Sequence, residues 1–276
     1  MIYDDLKDKV VVITGAGGVL CSVLAHAYAK NGSKVALLDL SYEAAARVSN
    51  SIQDEGYIAK AYKCNVLDKD NIAKVHEQIL NDFGKCDILV NGAGGNNPKA
   101  STNDEFYSID FKDKTFFDLD IKGIEFVFNL NFIGTLLPTL EFSKDMINNL
   151  NSSILNISSM NAFKPLTKIP AYSAAKASIS NFTQWLATYF SKSGIRVNAI
   201  APGFFATKQN EQLLFYSDGS LTERSKKIIR NTPMERFGKP EELIGSALFL
   251  SSPSQASFIT GVILPIDGGF SAYSGV

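Results

Sequence analysis

The sequence is poor in histidine and cysteine, and this scarcity limits the chemistry that the chain can carry. Its 276 residues include two histidines and three cysteines. Zinc hydrolysis and Ser-His-Asp catalysis both depend on histidine, so we expect neither of them and no metal site. Cys21, Cys64 and Cys86 are odd in number, widely spaced and set in apolar surroundings. This pattern favours buried free thiols over a disulfide framework.

An excess of one charge and a long apolar run are also lacking. The chain has 27 basic and 28 acidic residues, which leave a formal net charge of −1. Such a balance gives no electrostatic footprint for nucleic acid or for an anionic membrane. The first residues, MIYDDLKDKVVVITG, are acidic where a secretory signal would be basic, and their apolar run is too short to span a bilayer. We therefore expect a cytoplasmic protein without nucleic-acid or membrane partners.

Neither a linker-like stretch nor an internal repeat interrupts the chain, so we expect one domain over residues 1–276. Short β-branched runs alternate with helical patterns, and several of these runs are apolar at nearly every position. The runs are KVVVIT, SKVALLDL, YIAKAYK, CDILVNGA, SSILNISS, IRVNAIAP and GVILPIDG. Strands of this kind are buried on both faces, which predicts an α/β fold with a doubly wound parallel β-sheet and helices on both faces.

A glycine-rich segment, Thr14-Gly15-Ala16-Gly17-Gly18-Val19-Leu20-Cys21, joins the first predicted strand to a helical pattern. Backbone N–H groups of such a turn can approach a pyrophosphate closely, as in a Rossmann fold. A tight turn without a ligand would use the same glycines, so the segment alone is weak evidence. Asp39 ends the second strand, where a dinucleotide site needs an acid for the ribose hydroxyls, and Ser41 can cap the next helix instead. Leu40 stands where a 2′-phosphate would need a cation, so we predict NAD(H) rather than NADP(H).

Further motifs follow in an order that one enzyme family uses. Ser159 lies thirteen residues before Tyr172, whereas a Tyr-x-x-x-Lys alone is weak evidence because Tyr3 and Lys7 repeat it without support. The full set is Asn65-Val66, Asn91-Gly92-Ala93-Gly94, Asn131, Ser159, Tyr172, Lys176, Pro202-Gly203, Phe205 and Thr207. As a set these motifs resemble the short-chain dehydrogenase/reductase family over essentially the whole chain.

The resemblance implies a catalytic set and a cofactor site. Tyr172 would be the general acid/base, and Ser159 would bond the substrate oxygen. Asn131 would hold a water of a proton relay, and Lys176 would hold the nicotinamide ribose. Because positions i and i+4 share a helix face, we expect Lys176 and the oxidised nicotinamide to lower the pKa of Tyr172. The cofactor set would be Gly15, Gly17, Gly18, Val19, Leu20, Asp39, Leu40, Asn65, Val66, Asn91, Ala93, Gly94, Tyr172, Lys176, Pro202, Gly203, Phe205 and Thr207.

The glycine turn departs from the family pattern. Val19 and Cys21 occupy the positions of the later glycines in Thr-Gly-x-x-x-Gly-x-Gly, and Gly92 replaces an asparagine of Asn-Asn-Ala-Gly. We expect the bulk of Val19 to push the pyrophosphate outward. The segments TGAGGVLC, NGAGGNNPKAST, NISSMNAFKPLTKIPAYSAAK, FTQWLA, APGFFAT and DGGFSAYSGV, which include the same atypical turn, resemble more narrowly the short-chain-type D-mannonate oxidoreductases. This resemblance implies interconversion of D-fructuronate and D-mannonate in hexuronate breakdown.

Residues 95–120 form a long polar connection after the fourth strand, which we interpret as a substrate-covering insertion rather than a solvated loop. A sugar acid offers a carboxylate for lysine and hydroxyls for asparagine. The candidate substrate residues are Asn96, Asn97, Lys99, Ser159, Asn161 and Lys164, and Lys168 is a further competitor for the carboxylate.

Three questions stay open at this stage. The chemistry also fits another keto-sugar-acid or polyol dehydrogenase, such as a gluconate 5-dehydrogenase, and a non-catalytic NAD-binding sensor or scaffold belongs to a different class. Two segments, FVFNLNFIGTLLPTLEF and YSAAKASISNFTQWLATYF, are apolar nearly all round, which subunit contact in a homo-tetramer would explain. The C-terminal segment FSAYSGV could contact either a neighbouring subunit or the rest of its own subunit.

Overall fold

The computed structural model describes residues 3–110, 113–207 and 210–275. Within these residues seven strands form one parallel sheet in the order β3-β2-β1-β4-β5-β6-β7. The strands are β1 (Val10–Thr14), β2 (Lys34–Asp39), β3 (Ala59–Lys63), β4 (Ile88–Asn91), β5 (Ser153–Ile157), β6 (Arg196–Pro202) and β7 (Ile263–Ile266). Each lies inside one of the seven apolar runs, so the predicted fold class is confirmed.

Helices cover both faces of this sheet. They are α1 (Val19–Lys30), α2 (Tyr42–Asp54), α3 (Lys69–Asp82), α4 (Ile121–Phe128), α5 (Gly134–Met146), α6 (Pro170–Tyr189), α7 (Glu211–Leu214), α8 (Glu223–Arg230) and α9 (Ile244–Ser251). On one face α1, α2 and α9 pack on alternate strand residues such as Val11 and Ile13. On the other face α3, α5 and α6 pack on the intervening ones, such as Val12 and Leu89. All residues of β1, β4 and β6 are buried, which is why their sequences do not alternate.

The strand order reverses beside β1, and this reversal places the site. β1 pairs with β2 on one side and with β4 on the other, so the two connections leave in opposite directions. A crevice forms at such a point, beyond the carboxyl ends of the strands. Thr14, Asp39 and Asn91 end the three strands that border it.

Helices α4 and α5 are joined by a π-helical turn, Asn129–Ile133, and form one apolar stretch, Ile121–Met146. Within these 26 residues, an 18-residue window has a mean hydropathy of 1.2. By length and composition alone it could cross a membrane, and it is the one such helix among the described residues. The fold accounts for part of this apolar character, because α5 packs on α3 and β4 while α4 packs on α6.

The 95–120 segment carries two short 3₁₀ helices, Pro98–Ala100 and Phe116–Asp118. The Thr102 N–H donates to the Lys168 carbonyl oxygen at 2.8 Å. Glu105 accepts an ion-pair hydrogen bond from Lys227 of α8. The segment therefore bridges the loop before α6 and helix α8.

Candidate active site

A cleft of about 760 Å³ opens at the carboxyl edge of the sheet. Most of the predicted cofactor residues line it. These are Gly15, Gly18, Val19, Leu20, Asp39, Leu40, Asn65, Val66, Ala93, Gly94, Gly203, Phe205 and Thr207. A cleft of this size, with an acid at one end and a glycine turn at its floor, can hold a dinucleotide.

The glycine turn is built by close backbone packing. Gly15 has φ +64°, and a Cβ there would lie 2.8 Å from the Ala93 Cα. A Cβ on Gly17 would lie 2.5 Å from the Ala44 Cβ, so this position also requires glycine. Gly18 then starts α1 without a side-chain cap. The first N–H groups of α1 therefore have no partner within the helix and can receive an anion.

Asp39 connects this turn with the second strand. One carboxylate oxygen accepts the Gly17 N–H at 3.0 Å, and the other accepts the Ser41 N–H at 2.9 Å. The Ser41 hydroxyl in turn accepts the Ala44 N–H and caps α2, as the sequence predicts. Each oxygen of Asp39 keeps a second lone pair, so the carboxylate remains able to accept ribose hydroxyls.

Five predicted cofactor residues do not line the cleft. Asn91 is 2% exposed, and its amide donates to Thr139 and Asn156, so its side chain joins the sheet to α5 and not to a ligand. Pro202 is buried as the last residue of β6. The Gly17 N–H donates to the Asp39 carboxylate. The other two, Tyr172 and Lys176, lie on α6 beyond one end of the cleft.

Ser159 and Tyr172 meet beyond the end of β5. Ser159 is 6% exposed and begins a 3₁₀ turn, where its hydroxyl accepts the Asn161 N–H at 3.3 Å. Tyr172 lies in the first turn of α6, which starts at Pro170. Burial raises the pKa of Tyr172 to about 12, and the Ser159 hydroxyl lowers it by a smaller amount through a hydrogen bond. The two hydroxyls thus lie within hydrogen-bonding distance of each other.

Lys176 lies one turn further along α6 and is 4% exposed. Its ammonium donates to the Ile157 carbonyl oxygen at 2.8 Å and lies 5.7 Å from the centre of the Tyr172 ring. Burial lowers the pKa of Lys176 to about 8. A Cβ on Gly94 would lie 3.1 Å from the Lys176 nitrogen, so a glycine keeps this edge of the cleft open.

The lowering of the tyrosine pKa that we expect from Lys176 together with the oxidised nicotinamide is not seen in the chain without nucleotide, and it stays a prediction for the complex. The pKa of Tyr172 lies above the ordinary value of 10, because the cost of burying a phenolate exceeds the effect of the Ser159 hydrogen bond. The Lys176 ammonium donates to the Ile157 carbonyl and lies over the Tyr172 ring, 5.7 Å from its centre. The four-residue spacing correctly predicts that the two side chains lie near each other on α6, but it does not predict that the ammonium donates to Ile157.

Asn131 is completely buried in the π-helical turn between α4 and α5. Its amide donates to the Gly95 carbonyl at 2.7 Å and to the Val127 carbonyl at 2.8 Å, and its oxygen accepts the Gly95 N–H at 3.3 Å. A Cβ on Gly94 would lie 2.7 Å from that oxygen. Asn131 therefore fixes the chain after β4 beside Lys176. π-helical turns are often found at functional sites.

The candidate substrate residues are more scattered. Asn97 caps the Pro98–Ala100 turn, Asn96 bonds Ser101, and Lys99 is exposed. The Lys164 ammonium donates to the carbonyl of Tyr273 in the C-terminal segment. Asn161 lies beside Ser159 and is only 6% exposed. Its side-chain oxygen has no hydrogen-bond partner among the described residues.

The cleft also includes residues that the sequence motifs did not indicate. Phe204 is one of them, and its ring packs edge-on against Phe270 at 5.5 Å. Cys21 and Gly92 lie inside the glycine turn and the Asn91–Gly94 motif, and Phe204 lies between Gly203 and Phe205, so these three could have been found from the sequence; the others come from other strands, loops and helices. The additional residues are Cys21, Cys64, Leu67, Gly92, Phe126, Leu130, Ile157, Phe204 and Asn210.

Comparisons with known proteins agree with this geometry. A family model of short-chain dehydrogenases, described as enoyl-(acyl carrier protein) reductase, matches residues 18–271. An uncharacterized oxidoreductase of Haemophilus influenzae is 61% identical over 274 residues, which cover 99% of this chain and 96% of that protein. The chain belongs to the short-chain dehydrogenase/reductase family. The predicted family is thus confirmed, and the chain is an oxidoreductase of the dehydrogenase type.

Two further members of the family are similar to this chain over nearly its whole length. The uncharacterized oxidoreductase UxuB of Bacillus subtilis is 49% identical over 275 residues, covering 100% of this chain and 99% of that protein. A solved Haemophilus structure of a candidate D-mannonate oxidoreductase with bound NAD is 61% identical. It covers 98% of each chain and has a TM-score of 0.96.

Proposed function

We propose that this protein is an NAD(H)-dependent oxidoreductase that interconverts D-fructuronate and D-mannonate in the cytoplasm. The observation that carries the proposal is the convergence of Ser159, Tyr172 and Lys176 beside Gly94, at the end of a dinucleotide-sized cleft. The likeness to the NAD-bound candidate D-mannonate oxidoreductase supports both the cofactor and the substrate.

The residues of the cleft fit NAD(H). The uncapped start of α1 suits the pyrophosphate, and Asp39 suits the hydroxyls of the adenosine ribose. Leu40, which is 66% exposed, offers no cation for a 2′-phosphate. When bound, the nicotinamide supplies or accepts the hydride, and its oxidised form adds a positive charge near Tyr172.

The chain's own residues handle the proton. In the direction of reduction, the Tyr172 hydroxyl donates its proton to the carbonyl oxygen while Ser159 donates a hydrogen bond to the same oxygen. With a pKa of about 12, Tyr172 is protonated at neutral pH and ready for this direction. In the direction of oxidation the phenolate must take the alcohol proton, so this direction depends on nearby positive charge. Lys176, buried and one turn away, is the residue that can supply it.

The substrate side suits a polar ligand. Asn161 leaves a buried oxygen free beside Ser159, and such an atom is costly unless a donor reaches it. A hydroxyl of a sugar acid is such a donor. The 95–120 insertion lies against the loop before α6 and against α8, where it can cover a substrate held next to Tyr172.

The experiment is to follow NADH consumption with D-fructuronate beside 5-keto-D-gluconate. Our proposal expects a clearly higher kcat/KM for D-fructuronate and production of D-mannonate. Higher efficiency with 5-keto-D-gluconate would instead assign the chain to gluconate 5-dehydrogenation by the same catalytic residues. NADH binding without hydride transfer to any sugar acid of a wider panel would favour the non-catalytic sensor or scaffold.

We also propose that the chain forms a homo-oligomer, a tetramer by the resemblance, through the outer face of α5 and α6. An apolar hollow of about 390 Å³ lies between these helices, and Leu140, Trp185 and Tyr189 are each more than half exposed there. Trp185 is the single tryptophan of the chain and stacks on Tyr189 at 4.9 Å. Trp185→Glu should reduce the mass measured by light scattering, whereas an unchanged mass would reject this face as the interface.

A further inference from the structure

Two departures from the family pattern, Cys21 and Gly92, meet in space. Cys21 lies in the first turn of α1, and Gly92 follows the last residue of β4. A Cβ on Gly92 would lie 2.1 Å from the Cys21 sulfur and 2.9 Å from the Thr14 carbonyl oxygen. Neighbouring atoms do not approach so closely. The thiol therefore occupies the volume that any side chain at position 92 would need.

The surrounding backbone holds this contact in place. The N–H groups of Gly92 and Ala93 both donate to the Thr14 hydroxyl, at 3.1 and 3.2 Å. Thr14 is in register with Asn91 in the pairing of β1 with β4. The start of α1 is fixed as well, because Gly15 already packs against Ala93 without room for a Cβ. The backbone at Gly92 therefore cannot move away from the thiol without losing its hydrogen bonds to Thr14.

The contact forms part of the cleft wall. Cys21 is 5% exposed and faces the cleft together with Gly92, Ala93 and Gly94. Two residues beyond Gly92, the backbone at Gly94 lies against the side chains of Asn131 and Lys176. Burial raises the pKa of the Cys21 thiol to about 12, against a smaller lowering by the Lys176 ammonium. The thiol is therefore neutral and acts through its shape and by excluding water.

We propose that Cys21 and Gly92 are one coupled unit that positions the 92–94 backbone against Asn131 and Lys176 and thereby sets where the nicotinamide end of NAD(H) lies. Cys21 is then a positioning residue, and Gly92 is the position that makes room for it. The nucleotide part of this inference rests on the proposed function. The packing part does not depend on it.

The test compares the wild type with Cys21→Gly, Gly92→Asn and the double variant. NADH affinity is measured by fluorescence titration without any sugar acid. Gly92→Asn forces a side chain into the thiol and should weaken NADH binding about 100-fold. Cys21→Gly opens a hole and should weaken it about fivefold. The double variant removes the clash with the thiol and keeps only the 2.9 Å approach to the Thr14 carbonyl oxygen, so it should bind NADH about tenfold more tightly than Gly92→Asn.

Two outcomes overturn the coupling. One is a double variant that binds NADH no better than Gly92→Asn, and the other is Gly92→Asn binding as well as the wild type. Thermal unfolding without nucleotide measures the packing directly, so the double variant should unfold at a higher temperature than Gly92→Asn. If Gly92→Asn does not fold, recovery of a folded double variant still supports the pair, and failure of both rejects it. A wild type that does not bind NADH would refute the proposed function. The unfolding temperatures of the variants would still test whether Cys21 and Gly92 are coupled by packing.

A pH profile separates positioning from mere packing. Cys21→Gly admits water near Lys176, so the pKa of that lysine should rise and the basic limb of the kcat profile should move to higher pH. Cys86→Gly is the matched control, because Cys86 is a free thiol that is 1% exposed in the core on the other face of the sheet. It should lower the unfolding temperature but leave the NADH affinity and the pH profile unchanged. A Cys21→Gly profile identical to the wild type would reject the positioning role.

Discussion

The cofactor side and the substrate side of the cleft are built in different ways. The cofactor side consists of strand ends and a glycine turn, where Gly15 and Gly17 are fixed by contacts that exclude even a Cβ. The substrate side consists of segments far apart in the chain, joined by contacts such as Glu105 with Lys227 and Lys164 with the Tyr273 carbonyl. The first kind of site follows from where the buried strands end, whereas the second depends on which loops meet. Substrate specificity can therefore change without disturbing the cofactor side.

The largest effect should come from Tyr172→Phe, which lies where the two sides meet. Loss of the proton donor should lower kcat by about 10³-fold or more, while NADH affinity stays within about twofold. Single-turnover kinetics and NADH titration would measure the two quantities. Tyr3→Phe is the control, since Tyr3 begins the other Tyr-x-x-x-Lys sequence of the chain and should have no effect. A Tyr172→Phe variant with most of its activity would remove the tyrosine from the mechanism.

The variant Lys176→Met should show by how much burial of the Lys176 ammonium lowers the free energy of unfolding. Burial lowers the pKa of Lys176 from 10.5 to about 8, so between these values the unfolded chain binds more protons and stability rises with pH. Below pH 8 the variant should be more stable than the wild type by about 3 kcal/mol, although it is inactive.

This stability gain should disappear as the pH approaches 10.5, and denaturant unfolding across pH 6–10.5 would follow it. Lys192→Met, at an exposed lysine, should leave the pH dependence of stability unchanged. A gain of the same size at every pH would show that apolar packing and not the buried charge is responsible.

Asp39→Ser tests the cofactor side alone. Removing the carboxylate should weaken NADH binding and relieve repulsion of a 2′-phosphate, so the preference for NADH over NADPH should narrow by about tenfold. The ratio of kcat/KM for the two nucleotides measures it. Asp54→Ser, at the exposed end of α2, should keep the wild-type ratio. Equal efficiency of the wild type with NADH and NADPH would end the role given to Asp39.

Lys99→Ala tests the substrate side and has the smallest expected effect. If Lys99 binds the carboxylate, the KM for D-fructuronate should rise about tenfold with kcat nearly unchanged. Lys122→Ala, at an exposed lysine of α4, is the matched control. An unchanged KM for Lys99→Ala would remove this lysine from the site and leave Lys164 and Lys168 as the candidates for the carboxylate.

Much of the cofactor side could be predicted because its residues occupy sequence positions that the fold places by rule. Gly15, Asp39 and Gly94 each follow or end a buried strand, and parallel strands bring their carboxyl ends together. Asn91 also ends a strand, but its side chain turns to Thr139 and Asn156, because a strand-end side chain can face either a ligand or the core. Position in the sequence cannot distinguish these two directions.

The sequence by itself determined the parallel sheet, the glycine turn, the acid at the end of β2 and the family, because period, burial and motif spacing are local properties. The tertiary structure decided the rest, because it depends on distances between residues far apart in the chain. It placed the Cys21 sulfur against Gly92, turned the Lys176 ammonium to the Ile157 carbonyl and raised the pKa of Tyr172 by burial. It also seated Lys164 on the C-terminal segment, a contact between residues that are 109 positions apart.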